Sequence, residues 1–233
     1  MKSSPILFYH NVLDNDKSSC SIQEFDNQMN FLHKKKYKSL SIDDLHQAKK
    51  EDPEAKVFSV TFDDGYQDNL RNALPILKKY NFIATCFIVY ECIGKTNIWD
   101  VHNTQIKQHK LMNQDEISNW IGEGMNIGSH GINHVNLSNS ESVMVNREIG
   151  YSKKLLEDLF LCNINSFCYP FGSYDLNCIA ALKKFDYKYA LTTNRGRYIP
   201  HNHNTFEIPR IPIGNDVTLF KFYLKMLTIY EDL

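Results

Sequence analysis

The chain is expected to fold as a parallel α/β protein of about seven strands covered by helices, for which a barrel fits better than a short open sheet. Three observations point there. Short apolar runs alternate with amphipathic stretches through almost all of the 233 residues. The strand-like runs are continuously apolar, as in sheets buried on both faces. No Pro/Gly/Ser-rich or charge-rich linker, internal repeat or low-complexity tract divides the sequence, so residues 1–233 are read as one domain. Pattern alone leaves closure of the sheet open.

Taken in order, "PILFYHN" reads as the first strand. In "SIQEFDNQMNFLHKKK", Ser21 and Glu24 form a capping-box pattern, and Ile22, Phe25, Met29 and Leu32 share one helical face. The basic run "HKKKYK" falls where that helix ends and complements its dipole. Ser41 signals a second helix start before "IDDLHQAKK", and the strand "VFSVTF" follows. Within the helix "NLRNALPILKKY", Pro75 predicts a kink or a late start. "FIATCFIV" reads as a buried strand, and "NQDEISNWIGEGM" as a short helix leading into "MNIGSH". A long helical region covers residues 140–161, followed by the strand "INSFCYPFG", the helix "DLNCIAALKKF" and the strand "YKYALTTN". "FEIPRIPI" is the expected last strand and "DVTLFKFYLKMLTIY" a C-terminal helix.

Twenty-six basic and 27 acidic side chains leave a formal charge of −1, no electrostatic case for nucleic acid or an anionic membrane. No segment approaches the ~18 consecutive apolar residues of a membrane span, and "MKSSPILFYHNVLDND" lacks the pattern of a signal peptide. A cytoplasmic protein without membrane insertion is therefore expected; the oligomeric state is not legible. The six cysteines contain no CxxC pair, which favours reduced thiols over disulfides or a zinc knuckle.

Chemistry is expected at the C-terminal ends of the strands. There, "TFDDG" sets Asp63 and Asp64 side by side before Gly65, an arrangement that repulsion and desolvation oppose unless a cation or proton resolves it. "SHGINH" places His130 and His134 four residues apart, the spacing by which one helical turn points two imidazoles at one metal ion. Two imidazoles and one carboxylate leave a divalent ion with open positions, as in hydrolytic zinc sites. One Asp can ligate while the other takes a proton. Non-haem iron oxygenases use the same ligand types, but their carboxylate lies within the His motif, whereas here it lies far upstream.

"TFDDG", "SHGINH" and "FCYPFG" together resemble the first three motifs of the polysaccharide deacetylases, carbohydrate esterase family four. The opening "PILFYHNV" is similar to the first strand of the branch that deacetylates poly-N-acetylglucosamine. The resemblance implies a deformed (β/α) barrel with about seven strands, Asp63 as general base, and Asp64, His130 and His134 as ligands of one divalent ion. Zinc is the default, although cobalt, nickel, manganese or iron fit similar ligands. It also implies that the loop "FCYPFG" lines the substrate groove. Pro170 there has no N–H, leaving Phe171 N–H as the oxyanion donor, with Tyr169 beside it.

Two departures stand out. Many family members carry Arg where Cys168 stands; Arg210 of "EIPRIPI" is assigned as the substitute partner of Asp63. The late Leu-x-His motif that supplies the family's general acid is absent, and His10 at the end of the first strand takes that place ahead of His201 and His203. Trp99 and Trp120 are read as core or rim packing ahead of sugar platforms. The expected function is metal-dependent removal of an N-acetyl group from an amino-sugar substrate, whether polysaccharide, oligosaccharide or glycan precursor. Alternatives are an amidase or deformylase of the same fold on a non-polymeric amide, and an inactive carbohydrate-binding protein.

Overall fold

The computed structural model describes residues 3–14, 16, 19–103, 107–200, 202–228 and 230. His201 therefore lies outside the described residues. Among the described residues eight strands occur, β1 (Ile6–Tyr9), β2 (Lys38–Ser39), β3 (Val57–Phe62), β4 (Thr85–Ile88), β5 (Asn126–Ser129), β6 (Ser166–Cys168), β7 (Tyr189–Arg195) and β8 (Ile208–Pro212). Neighbours run β1-β8-β7-β6-β5-β4-β3, and β1 pairs with β3 to close a ring of parallel strands; β2 is appended to β3. The seven-stranded barrel is deformed. β1 and β3 share four register pairs, β5 and β6 only Ser129 with Phe167, and β7 shifts register against β8.

Helices α1 (Ile22–Lys34), α2 (Ile42–Glu51), α3 (Leu74–Lys79), α4 (Gln114–Gly122), α5 (Ser142–Asn146), α6 (Ser152–Phe160), α7 (Leu176–Lys184) and α8 (Leu219–Leu227) cover the ring. Their starts follow local chemistry. Ser21 caps α1 by accepting from Glu24 N, Ser41 caps α2 from Asp44 N, and Asn113 with Glu116 forms a full capping box on α4. Before Pro75 the backbone runs as a π-helical turn, Asn69–Ala73, and α3 begins at Leu74, so the proline sits in the first turn where its missing N–H costs nothing. A second π turn, Arg147–Tyr151, joins α5 to α6.

Strand alternation divides the interior. Leu7, Tyr9, Phe58, Val60 and Phe62 pack outward with the helices in the main core, whereas Ile6, Val57, Phe87, Cys168, Leu191 and Ile208 form a separate cluster. Asp63 keeps the parity of Val57 and Thr61, and Arg210 that of Ile208, so both head for the inside of the ring. That parity is what puts charge in the barrel's mouth.

Three local expectations need correction. β4 and β6 are shorter than their apolar runs, and Pro170–Gly172 is a separate 3₁₀ turn instead of a strand end. β2 lay hidden in the basic run, whose exposed lysines mask a two-residue strand with buried Ser39. His130 and His134 do not share a helical turn but sit in the loop after β5, where Gly131 and His134 both take positive φ, 83° and 55°.

Gly128 in β5 is closely packed inside the ring. A Cβ there would overlap the Phe87 ring and come within 2.9 Å of Ser166 Oγ. Gly128→Ala should destabilise the fold by about 1–3 kcal/mol through overpacking, read as a lowered midpoint in denaturant unfolding.

Candidate active site

Strand pairing continues one residue past β3, with Asp63 N–H donating to Tyr9 O at 3.0 Å. The chain then turns through two left-handed residues, Asp64 (φ 73°) and Gly65 (φ 82°). Glycine tolerates this freely and aspartate better than most residues. By strand parity Asp64 would face outward; the turn swings it back beside Asp63. Both carboxylates are buried, 2% and 5% exposed.

Arg210 answers Asp63. Its Nη1 and Nη2 donate to Asp63 Oδ1 and Oδ2, both at 2.8 Å. Nε donates to Thr192 O at 2.9 Å, and the remaining donors reach Thr61 Oγ1 at 3.2 Å and Cys168 Sγ at 3.0 Å. All five N–H groups of a fully buried guanidinium are thus satisfied. Its plane also lies 3.9 Å from the Phe8 ring centroid. The Cys168 thiol donates to Asp63 Oδ2 at 3.3 Å. A small side chain at 168 leaves the space that Arg210 enters from β8. Burial alone would raise the Asp63 pKa, but Arg210 outweighs it and holds the carboxyl below its usual range.

Asp64 answers the imidazoles. Its Oδ1 lies 3.3 Å from Nε2 of both His130 and His134, yet makes no hydrogen bond. One ligand atom from each of Asp64, His130 and His134 falls within 4.8 Å of the others, the grouping expected around one ion. His130 Nδ1 lies 2.7 Å from Cys168 O. A carbonyl only accepts, so Nδ1 carries a proton, and in the neutral tautomer that a metal requires the Nε2 lone pair faces Asp64. Lone pairs converging on a carboxylate oxygen call for positive charge between them, and the residues fit a divalent cation. With no cation between them, the acids hold a proton on His130 in its place. Burial opposes a charged His130, but Cys168, Asp64 and Asp63 outweigh it and its pKa lies well above the ordinary value. Burial wins at His134, whose pKa is lowered. Asp64 is held well below the carboxylate range by both histidines, against burial.

His10 reaches the same cavity, Nε2 4.0 Å from Asp64 Oδ2 with its side chain about half exposed (49%). Phe171 stands in a left-handed conformation (φ 59°), and no described residue accepts its N–H. Tyr169 borders the cavity but is buried, its hydroxyl spent on Phe206 O at 3.0 Å and its ring stacked on Tyr174. Pro170 is buried behind the lining, facing Gly131. His203 Nδ1 accepts from Ile199 N and its ring stacks on Tyr198, away from these groups. Trp120 is core, as read; Trp99 instead stacks on His134. The cavity holds ≈ 340 Å³.

Sequence reasoning missed the residues that hold these loops. Glu148, fully buried on the π turn, accepts from Ile132 N (2.7 Å), Asn133 N (2.9 Å) and Asn133 Nδ2 (2.8 Å), pinning the His130–His134 loop. Asp68 accepts from Asn11 Nδ2 and Val12 N, and Asn69 donates to His10 O, together fixing the segment after β1. In the sequence Glu148 looks like a solvated helical charge.

A parallel seven-stranded (β/α) barrel with a carboxylate–imidazole triad beside a buried Asp–Arg pair defines the class of the protein. The comparisons narrow it. A family model described as polysaccharide deacetylase matches residues 50–190. The Bacillus subtilis protein YxkH, itself named for that family, is 33% identical over 196 residues, covering 82% of this chain and 65% of YxkH. A Staphylococcus epidermidis poly-β-1,6-N-acetyl-D-glucosamine N-deacetylase is 30% identical over 233 residues, covering 94% of this chain and 78% of that protein. The solved structure of the Streptococcus pyogenes deacetylase PplD in complex with acetate superposes with a TM-score of 0.83 at 24% identity, over 97% of this chain and 98% of that one, which bears on the fold alone. The chain belongs to the polysaccharide deacetylase family. Among the described residues, no helix is long and apolar enough to cross a membrane.

Asp63→Asn should cost about 3–5 kcal/mol near neutral pH, because Arg210 keeps its buried charge without a partner. A carboxyl whose folded pKa is depressed contributes fully above its unfolded value, about 4, and loses the contribution as pH falls through the folded value. Denaturant unfolding of metal-free protein should therefore show the gap between wild type and variant closing across that acid window. A gap constant with pH would contradict the pairing.

Proposed function

We propose that the protein is a metal-dependent carbohydrate N-deacetylase that removes an N-acetyl group from an N-acetylglucosamine-containing glycan. The observation that carries this reading is the pairing of a buried, Arg-clamped carboxylate with an adjacent Asp–His–His triad at one cavity. Asp64, His130 and His134 would hold a divalent cation, zinc by ligand type, which when bound would supply Lewis-acid polarisation of the amide carbonyl and of water. Asp63 accepts the proton of the attacking water. Arg210 keeps it ionised and fixes its plane, so the carboxylate is oriented before substrate arrives. Phe171 N–H donates to the developing oxyanion, which no other group in the structure claims; one such donor typically contributes about 3 kcal/mol. His10, on the open side of the cavity, returns a proton to the leaving amine. The similar Staphylococcus epidermidis deacetylase supports β-1,6-linked N-acetylglucosamine as the first substrate to try.

Acetate release from β-1,6-linked N-acetylglucosamine oligomers by zinc-loaded enzyme tests the assignment. Asp63→Asn should retain zinc, measured by elemental analysis, while kcat falls about 10²–10⁴-fold. Ala at Asp64, His130 or His134 should abolish zinc retention and turnover together. An Asp63→Asn enzyme of normal activity would refute the role of Asp63, and zinc bound without turnover on linked or free N-acetylated sugars would favour a binding protein.

A further inference from the structure

The two triad histidines are held by different physics. An imidazole that ligates a metal ordinarily donates its other N–H to a carboxylate, carbonyl or water, which fixes ring tautomer and orientation. His130 follows that rule through Cys168 O. His134 does not: its Nδ1 is buried and has no hydrogen-bond partner among the described residues. Its ring is enclosed by aromatic surfaces instead. The Trp99 indole lies parallel to it, with centroids 4.1 Å apart and planes at 25°. Phe171 meets the ring from another side at 4.5 Å and 67°, and His130 at 5.0 Å and 64°.

Resting on the metal reading above, we propose that Trp99 is a positioning residue for the metal centre, its stacked ring doing for His134 what a hydrogen bond does for His130. The contact is a stack of two nearly parallel rings, which brings the indole face against the imidazole. A cation drawing charge from His134 makes the imidazole more electron-poor, and the electron-rich face of Trp99 then attracts it more strongly. The tryptophan is itself secured. It lies on a short 3₁₀ turn, Ile98–Asp100, next to the fully buried Asn97. Asn97 Nδ2 donates to Asp100 Oδ2 (2.9 Å) and Lys107 O (3.2 Å), and its Oδ1 accepts from His109 N (2.7 Å). These bonds tie both ends of the loop that presents the indole, so its plane is set before any ion arrives. Trp99 is only half-buried and lies outside the main core, so its truncation spares the barrel.

The test is zinc affinity of the full chain, stripped of metal and titrated against a competing chelator, with the cobalt-loaded absorption spectrum as a second readout. Trp99→Ala and Trp99→Leu should bind zinc about 10–100-fold more weakly and broaden the cobalt spectrum, with unchanged unfolding midpoints for the metal-free proteins. Trp99→Phe restores a stacked ring and should stay within about threefold of wild type. If Ala binds zinc as wild type does, the inference is wrong. If Leu equals Phe, apolar bulk suffices and ring stacking is overturned. A wild type that binds no zinc would instead remove the metal reading itself, and this inference with it.

Discussion

A positive guanidinium sealed inside a barrel tolerates only one kind of neighbourhood, and Arg210 has it. Every one of its donors ends on a strand or strand end of the ring: β3 through Thr61 and Asp63, β6 through Cys168, β7 through Thr192. Removing any of these contacts leaves charge or a polar group in a place water does not reach. The same lattice positions Asp63 and, through the Cys168 backbone, His130. The electrostatics of the mouth and the closure of the strands are in this sense one arrangement. Neither half keeps its geometry without the other.

Much of this was legible in the amino acids. Continuous apolar runs such as "VFSVTF" announced strands covered on both faces, and β3 matches that run residue for residue. Ser21 and Ser41 marked helix starts because their side chains compete for the first free N–H groups. The convergence of Asp63, Asp64, His130 and His134 on one cavity followed from placing all of them at strand ends. Arg210 came from the family resemblance, in which an Arg usually stands where this chain has Cys168 and the last strand is the other place it can come from.

What escaped was tertiary. The four-residue spacing of the histidines suggested a helix, but Gly131 and the Glu148 carboxylate bend that stretch into a loop that converges the rings by another route. Glu148 itself sits amid helical sequence with nothing local to distinguish it from a solvated acid. Trp99 has two ordinary explanations by composition, and only distance separates a core indole from one laid on His134. Buried polar anchors of this kind depend on partners far away in the chain, and no local pattern records them.

The looped-back Asp64 has a consequence for assembly. Its partners arrive after β5, two helices further along, and the ring that aligns them is closed only when β1 finds β3. A disordered chain presents these groups as isolated weak ligands, so an ion that grips all three recognises the completed barrel alone. By mass action such an ion would stabilise the folded barrel over the unfolded chain, the more so the higher the free metal concentration.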